Sequence, residues 1–168
     1  MEFKNLTFAM IKPDAVSHNN TGKIIDMIEK NNFEIIRLQK AILAKDLAEE
    51  FYEVHKDRPF YSELVEFVTS GPVIIMALHK ENAVAEWRNL IGATNPKDAA
   101  PGTIRHEFGT SIDKNAVHGS DSSETAAQEI ELFFPEMFEF PGEDADEDEN
   151  DEDDESEDKE IESDTCCG

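Results

Sequence analysis

The chain has 168 residues, a formal net charge of −24 and 39% hydrophobic residues, enough for one domain with a sizeable core but not comfortably for two. Such acidity argues against a nucleic-acid-binding surface, because like charges repel. No apolar run approaches the roughly 20 residues that a membrane-spanning helix needs, and Glu2 and Lys4 around Phe3 do not read as a signal peptide.

In chain order, Leu6 to Ile11 is almost continuously apolar, as a strand buried on both faces would be. It ends at Lys12-Pro-Asp14, where the proline is expected to stop regular structure and force a turn. Thr21 to Ile28 places Ile24, Ile25 and Ile28 on one helical face, with Thr21 as the expected N-cap. Phe33 to Leu43 reads as a strand. Asp46 is expected to cap a helix from Leu47 to His55, with Leu47, Phe51 and Val54 at helical spacing, and Tyr61 to Val68 forms a second one with Leu64, Val65 and Val68 inward. Ser70-Gly-Pro72 is a turn before the apolar strand Val73 to Leu78. Asn82 to Ile91 is helical. From Gly92 to Phe108 periodicity vanishes among Gly92, Pro96, Pro101 and Gly102, and a long loop in a compact domain is commonly functional. Asn115 to His118 is strand-like, Ser122 or Ser123 opens a helix through Leu132, and Phe133, Phe134, Met137, Phe138 and Phe140 are expected to pack back on the domain.

Residues 143–168 then hold sixteen acids and one lysine, a net of −15, which leaves −9 for residues 1–142. So few apolar groups cannot offset the entropy of ordering, and 143–168 is expected to be a disordered acidic tail behind a single domain over 1–142. Cys166 and Cys167, adjacent at the far end, cannot staple the core, a usage that fits a reducing cytoplasm. Thr165 stands where a prenylation box would need its cysteine. The element order fits an α+β, ferredoxin-like split β-α-β sandwich, a mostly antiparallel sheet with helices packed on one face.

The chain also supplies what phosphoryl transfer requires: cations and neutral donors for phosphate oxygens, and a nucleophile. Lys12, Arg88 and Arg105 are candidate phosphate clamps, and Thr94, Tyr52 and Asn115 are neutral donors. His118, before Gly119 and a run of hydroxyl and acidic residues, is the candidate nucleophile. An imidazole accepts a phosphoryl group at one nitrogen when the other is held by an acceptor, and Glu129 on the next helix is suited to that role. Neither GxxxxGK[ST] nor GxGxxG is present, so a nucleotide would be held by side chains, with Phe60 stacking on its base whatever the base's identity.

These residues sit in segments that closely resemble the nucleoside diphosphate kinase family: Lys12-Pro-Asp14, His55-Lys-Asp-Arg-Pro-Phe60, Thr69-Ser-Gly-Pro-Val73, Leu90-Ile-Gly-Ala-Thr-Asn-Pro96, Pro101-Gly-Thr-Ile-Arg105 and Asn115-Ala-Val-His-Gly-Ser-Asp-Ser122. The resemblance runs from about Leu6 to Phe134. It implies a catalytic domain over 1–142 that moves the terminal phosphate of a nucleoside triphosphate, typically ATP, to a nucleoside diphosphate by a ping-pong route through phosphorylated His118, maintaining nucleoside triphosphate pools. By the same resemblance, Lys12, Arg88, Thr94 and Arg105 are phosphate ligands, and Lys12 and Asn115 contact the ribose. Phe60 stacks on the base with Leu64 and Ile112 beside it, while Tyr52, Glu129 and Ser120 orient the histidine. Magnesium, Mg2+, would ride on the nucleotide phosphates without a protein-held metal site, and the subunits would form a homo-tetramer or hexamer. Glu63 departs from the usual small or basic residues after the aromatic and adds negative charge near the cleft mouth.

Two rival readings accompany this one. A nucleotide-binding module could keep the fold without turnover, although the full set of matched residues speaks against it. The acidic tail could attach to basic partners in a salt-sensitive way, against the simpler reading of a solubilising tail. His18, His55, His79 and His106 are read as surface or packing residues.

Overall fold

The computed structural model describes residues 3–138. The acidic tail, Cys166, Cys167 and Phe140 lie outside the described residues. Four strands, β1 (Leu6–Ile11), β2 (Glu34–Ala41), β3 (Val73–His79) and β4 (Val117–Gly119), form one sheet in the order β2-β3-β1-β4. Every pairing is antiparallel. Among the described residues seven α-helices accompany it: α1 (Pro13–Ser17), α2 (Thr21–Lys30), α3 (Lys45–Phe51), α4 (Tyr61–Thr69), α5 (Ala83–Ile91), α6 (Ile104–Phe108) and α7 (Ser123–Phe133).

The sheet has helices on both faces, not one. On one face Phe8, Met10, Val73 and Ile75 pack with Ala48 and Phe51 of α3, Val65 and Val68 of α4, and Ile130 and Phe133 of α7. On the other, Ala9, Ile11, Ile74 and Met76 pack with Ala15, Ile24, Ile28, Trp87, Ile91 and Ile104. That is why β1 is apolar without alternation: alternate side chains enter two different cores, each removed from water. β2, at the edge, is exposed over much of its length.

Several local expectations are corrected. Pro13 does not stop structure; it opens α1, since its missing N–H is one of the donors a first turn leaves unpaired anyway. Asn20 takes the cap position of α2 and Thr21 is the first helical residue, with no side-chain capping bond. Ala44 precedes α3, Asp46 lies inside its first turn, and the helix ends at Phe51. A separate 3-10 turn, Glu53–His55, follows and leaves Val54 86% exposed. The loop from Gly92 contains α6, too short for a periodic signal. Ser122 is the N-cap of α7, accepting from Thr125 N at 3.1 Å. Phe133 and Phe134 are buried, with Met137 and Phe138 packed against the same core.

Candidate active site

The site lies at the β4 edge of the sheet, where the turn before β4, the loop around Gly92 and the start of α7 converge. His118 is the middle residue of β4, paired in register with Met10. Beneath its ring lie Phe51, edge-on at 4.9 Å between centroids, and Phe8 at 6.0 Å. Phe8 in turn stacks on Phe133 at 4.8 Å. Aromatic pairs of this kind contribute about 0.5–1.5 kcal/mol each beyond area burial, so the imidazole rests on a stiff floor.

His118 Nε2 lies 2.9 Å from Glu129 Oε1. A carboxylate can only accept, so in the neutral ring Nε2 carries the proton and Nδ1 keeps the lone pair. Ser120 Oγ donates to the other oxygen of Glu129 at 2.5 Å and accepts from Phe8 N at 3.3 Å. Glu129 is therefore fixed by a hydroxyl that is itself tied to β1. Tyr52 is buried against the Phe51 ring. Burial pushes its phenol up, and the charge of Glu129 pushes it further in the same direction.

Cations gather around the same edge. Lys12 Nζ donates to Asn115 Oδ1 at 2.8 Å, and Asn115 Nδ2 donates to the Thr94 carbonyl at 3.1 Å, so one chain of contacts joins β1, the loop and the turn before β4. Burial pushes the Lys12 ammonium down to about 8, and the charge of Arg105 adds to this against the opposing effect of Asp14 and Asp113. Arg105 is pushed down to about 10 by burial and by Arg88. Its guanidinium braces the backbone, donating to the carbonyls of Gly92 at 3.1 Å and Val117 at 3.0 Å. Arg88 pairs with Asp121 at 2.6 Å on the surface. The Arg105 charge thus acts on Lys12 and the Arg88 charge on Arg105, and cations gathered in this way form a ready anion site.

Phe60 is 43% exposed and, with Leu64, Glu63, Phe67, Asp113 and Lys114, lines a cleft of about 140 Å³. Glu63 is thus beside Phe60, as the sequence suggested, but Lys114 shares the cleft with it. Ile112 is exposed and does not line this cleft. Among the described residues no group of three or more His, Cys, Asp or Glu side chains could hold a metal ion.

Sequence reasoning missed three supports. Trp87 Nε1 donates to the His118 carbonyl at 3.2 Å. The approach requires Gly119, since a Cβ there would meet the indole at 2.7 Å. Asp14 accepts from Ala116 N at 3.1 Å, and neither contact leaves a trace in local sequence. Asp121, an acid inside the His-Gly-Ser-Asp run, was the one findable from its neighbours.

The nucleoside diphosphate kinase family model matches residues 5–138. A nucleoside diphosphate kinase of Geotalea uraniireducens is 56% identical over 131 residues, covering 78% of this chain and 96% of the relative. One from Campylobacter concisus is 59% identical over 128 residues, covering 76% and 93%. Among solved structures, the Aquifex aeolicus nucleoside diphosphate kinase superposes with a TM-score of 0.76 at 43% identity, covering 77% of this chain and 94% of that one. The halophilic enzyme of Halobacterium salinarum, solved in complex with CDP, gives 0.75 at 39% identity, covering 78% and 88%. A match across the whole described domain, in sequence and in fold, establishes that the chain belongs to the nucleoside diphosphate kinase family.

Proposed function

We propose that this nucleoside diphosphate kinase carries the phosphoryl group on Nδ1 of His118. The observation that carries the reading is the 2.9 Å contact between Nε2 and Glu129, which leaves Nδ1 as the nucleophilic nitrogen. The Nδ1 lone pair attacks the terminal phosphorus of a nucleoside triphosphate, the bond from that phosphorus to the bridging oxygen breaks, and the nucleoside diphosphate leaves with the bond's electron pair. The ring then bears positive charge, which the Glu129 carboxylate stabilises through the Nε2 proton while Ser120 holds the carboxylate in place. A terminal phosphate oxygen of a second nucleoside diphosphate attacks the same phosphorus in line, and the Nδ1–P bond breaks to restore the neutral imidazole.

Lys12, Arg88 and Arg105 would meet the phosphate oxygens, with Thr94 as a further donor. Lys12 and Asn115, already hydrogen-bonded to each other, would share the ribose, and Phe60 would stack on the base beside Leu64. Tyr52 would close the histidine side. The cationic donor set offers magnesium no protein cage, which supports a metal that enters on the nucleotide phosphates and neutralises part of their charge there.

The long exposed edge of β2, with Leu38 46% exposed and Ile42, just past the strand's end, 71% exposed, supports self-association into a homo-tetramer or hexamer. The catalytic unit is read as residues 1–142, because every group used above falls before residue 130. Among the described residues no helix is long and apolar enough to cross a membrane, and a cytoplasmic setting is the reading that agrees with nucleotide substrates. Incubation with ATP labelled at the terminal phosphate should give an acid-labile, base-stable label that is absent from His118→Ala. Label that survives this substitution would sink the assignment.

A further inference from the structure

Two residues before His118, the backbone takes an uncommon path. Ala116 has φ +70°, and Val117 N donates to the Asn115 carbonyl at 2.8 Å across it. This bond spans three residues about a centre of positive φ, the tight γ-turn that L residues rarely adopt. Ala116 is completely buried, so water cannot satisfy its peptide groups. One segment serves both: Lys12 N donates to the Ala116 carbonyl at 2.8 Å, and Asp14 Oδ2 accepts from Ala116 N at 3.1 Å. The second oxygen of Asp14 is buried and has no hydrogen-bond partner among the described residues. The carboxylate is thus spent on this one backbone donor, 102 residues away in sequence.

We infer that Asp14 is a positioning residue for phosphoryl transfer: with the Lys12 backbone N–H it clamps the Ala116 peptide in its left-handed turn, and the clamp sets the direction in which β4 presents His118. The inference rests on the phosphohistidine reading above. Removing the acceptor strands a buried N–H and removes the force that opposes relaxation of Ala116 to negative φ. Relaxation would rotate the peptide leading into His118, and a displacement of about 1 Å at a reacting group can slow a reaction by roughly a hundredfold. Asp14 also acts on Lys12, whose other charged neighbours are Arg105 and Asp113. Substitution by asparagine keeps an oxygen for Ala116 N and deletes the charge, so the two effects separate.

The full-length chain is tested in four forms: wild type, Asp14→Asn, Asp14→Ala, and Asp14→Ala combined with Ala116→Gly. The rate of His118 labelling by γ-labelled ATP is measured in a single turnover, alongside the emission of Trp87, the chain's one tryptophan, whose indole is bonded to the His118 carbonyl. Asp14→Ala should label about ten- to a hundredfold more slowly, with a shifted Trp87 emission and little change in the ATP concentration for half-saturation. Glycine at 116 tolerates positive φ without its steric cost, so the double variant should recover about fivefold or more. Asp14→Asn should lose less than Asp14→Ala, and its alkaline activity limb should move to lower pH. Wild-type labelling rates in Asp14→Ala overturn the inference, as does a slow Asp14→Ala with native Trp87 emission and no recovery in the double variant. If Asp14→Ala alone does not fold, the double variant is compared with Ala116→Gly alone, and equal labelling rates and Trp87 emission in those two overturn it. If wild type takes no label on His118, the phosphohistidine reading has failed, and unchanged Trp87 emission in Asp14→Ala alone then decides against the clamp.

Discussion

Raising the pH perturbs the cleft without touching its sequence. Lys12 is 8% exposed, and burial together with the Arg105 charge pushes its ammonium down from 10.5 to about 8. Desolvation penalises the charged form of a base, so the cation is present below about 8 and lost above it. On that value about nine-tenths of the free enzyme carries the charge at pH 7 and about one-tenth at pH 9, whereas an ordinary lysine stays protonated at both. Because kcat/KM reports groups of the free enzyme, it should fall about tenfold between pH 7 and 9. The assay is steady-state transfer from ATP to a nucleoside diphosphate over this range, in wild type and in Lys12→Gln, which should be weakly active and flat. A limb near pH 10, or one that persists in Lys12→Gln, would refute the reasoning. Stability moves the other way. The folded value lies below the unfolded one, so the unfolded chain holds more protons between about 8 and 10.5, and stability rises with pH across that window. Lys12→Met should therefore stabilise the fold at pH 7 by on the order of 1–2 kcal/mol, read as a higher Tm, while lowering activity.

Glu129→Gln should slow formation of the phosphohistidine about ten- to a hundredfold, the worth of one charge-assisted hydrogen bond of roughly 1.5–3 kcal/mol; single-turnover labelling reads this, and an unchanged rate would remove Glu129 from the chemistry. Phe60→Ala should raise KM about five- to 150-fold for purine and pyrimidine nucleotides alike, since stacking contributes roughly 1–3 kcal/mol per base. Loss confined to one class would show base-edge recognition instead. Truncation of residues 143–168 should leave kcat/KM within about twofold and Tm nearly unchanged, as for surface changes remote from packing, and a collapse of transfer would place the tail in the catalytic unit.

The elements legible in the sequence were those with a strong pattern. β1 and β3 announced themselves by unbroken apolar runs, α2 and α5 by helical stripes, and α7 by Ser122 at its start. Glu129 could be linked to His118 because only a short turn separates β4 from α7. Other features depend on tertiary contact. The clamp of Asp14 on Ala116 exists because β1 and β4 pair in register at Ile11 and Val117, and no local pattern encodes that pairing. Trp87 reads as one more apolar residue of α5 until the missing side chain of Gly119 is seen to admit it. Thr21 and Asp46 read as caps because hydroxyl and carboxylate groups also suit the first turn just inside a helix. The expectation of helices on one face failed although β1 had already been read as buried on both, a property that requires cover on each side.

The order β2-β3-β1-β4 has a kinetic consequence. The exposed edge and the reactive histidine occupy opposite ends of the sheet, three strand spacings apart, or about 14 Å. Two subunits joined edge to edge through β2 would continue one sheet, with their histidines seven spacings apart, roughly 33 Å. Nucleotide bound at one end would touch nothing at the other. Such a pair would turn over as two independent enzymes, with hyperbolic saturation and no half-of-sites behaviour.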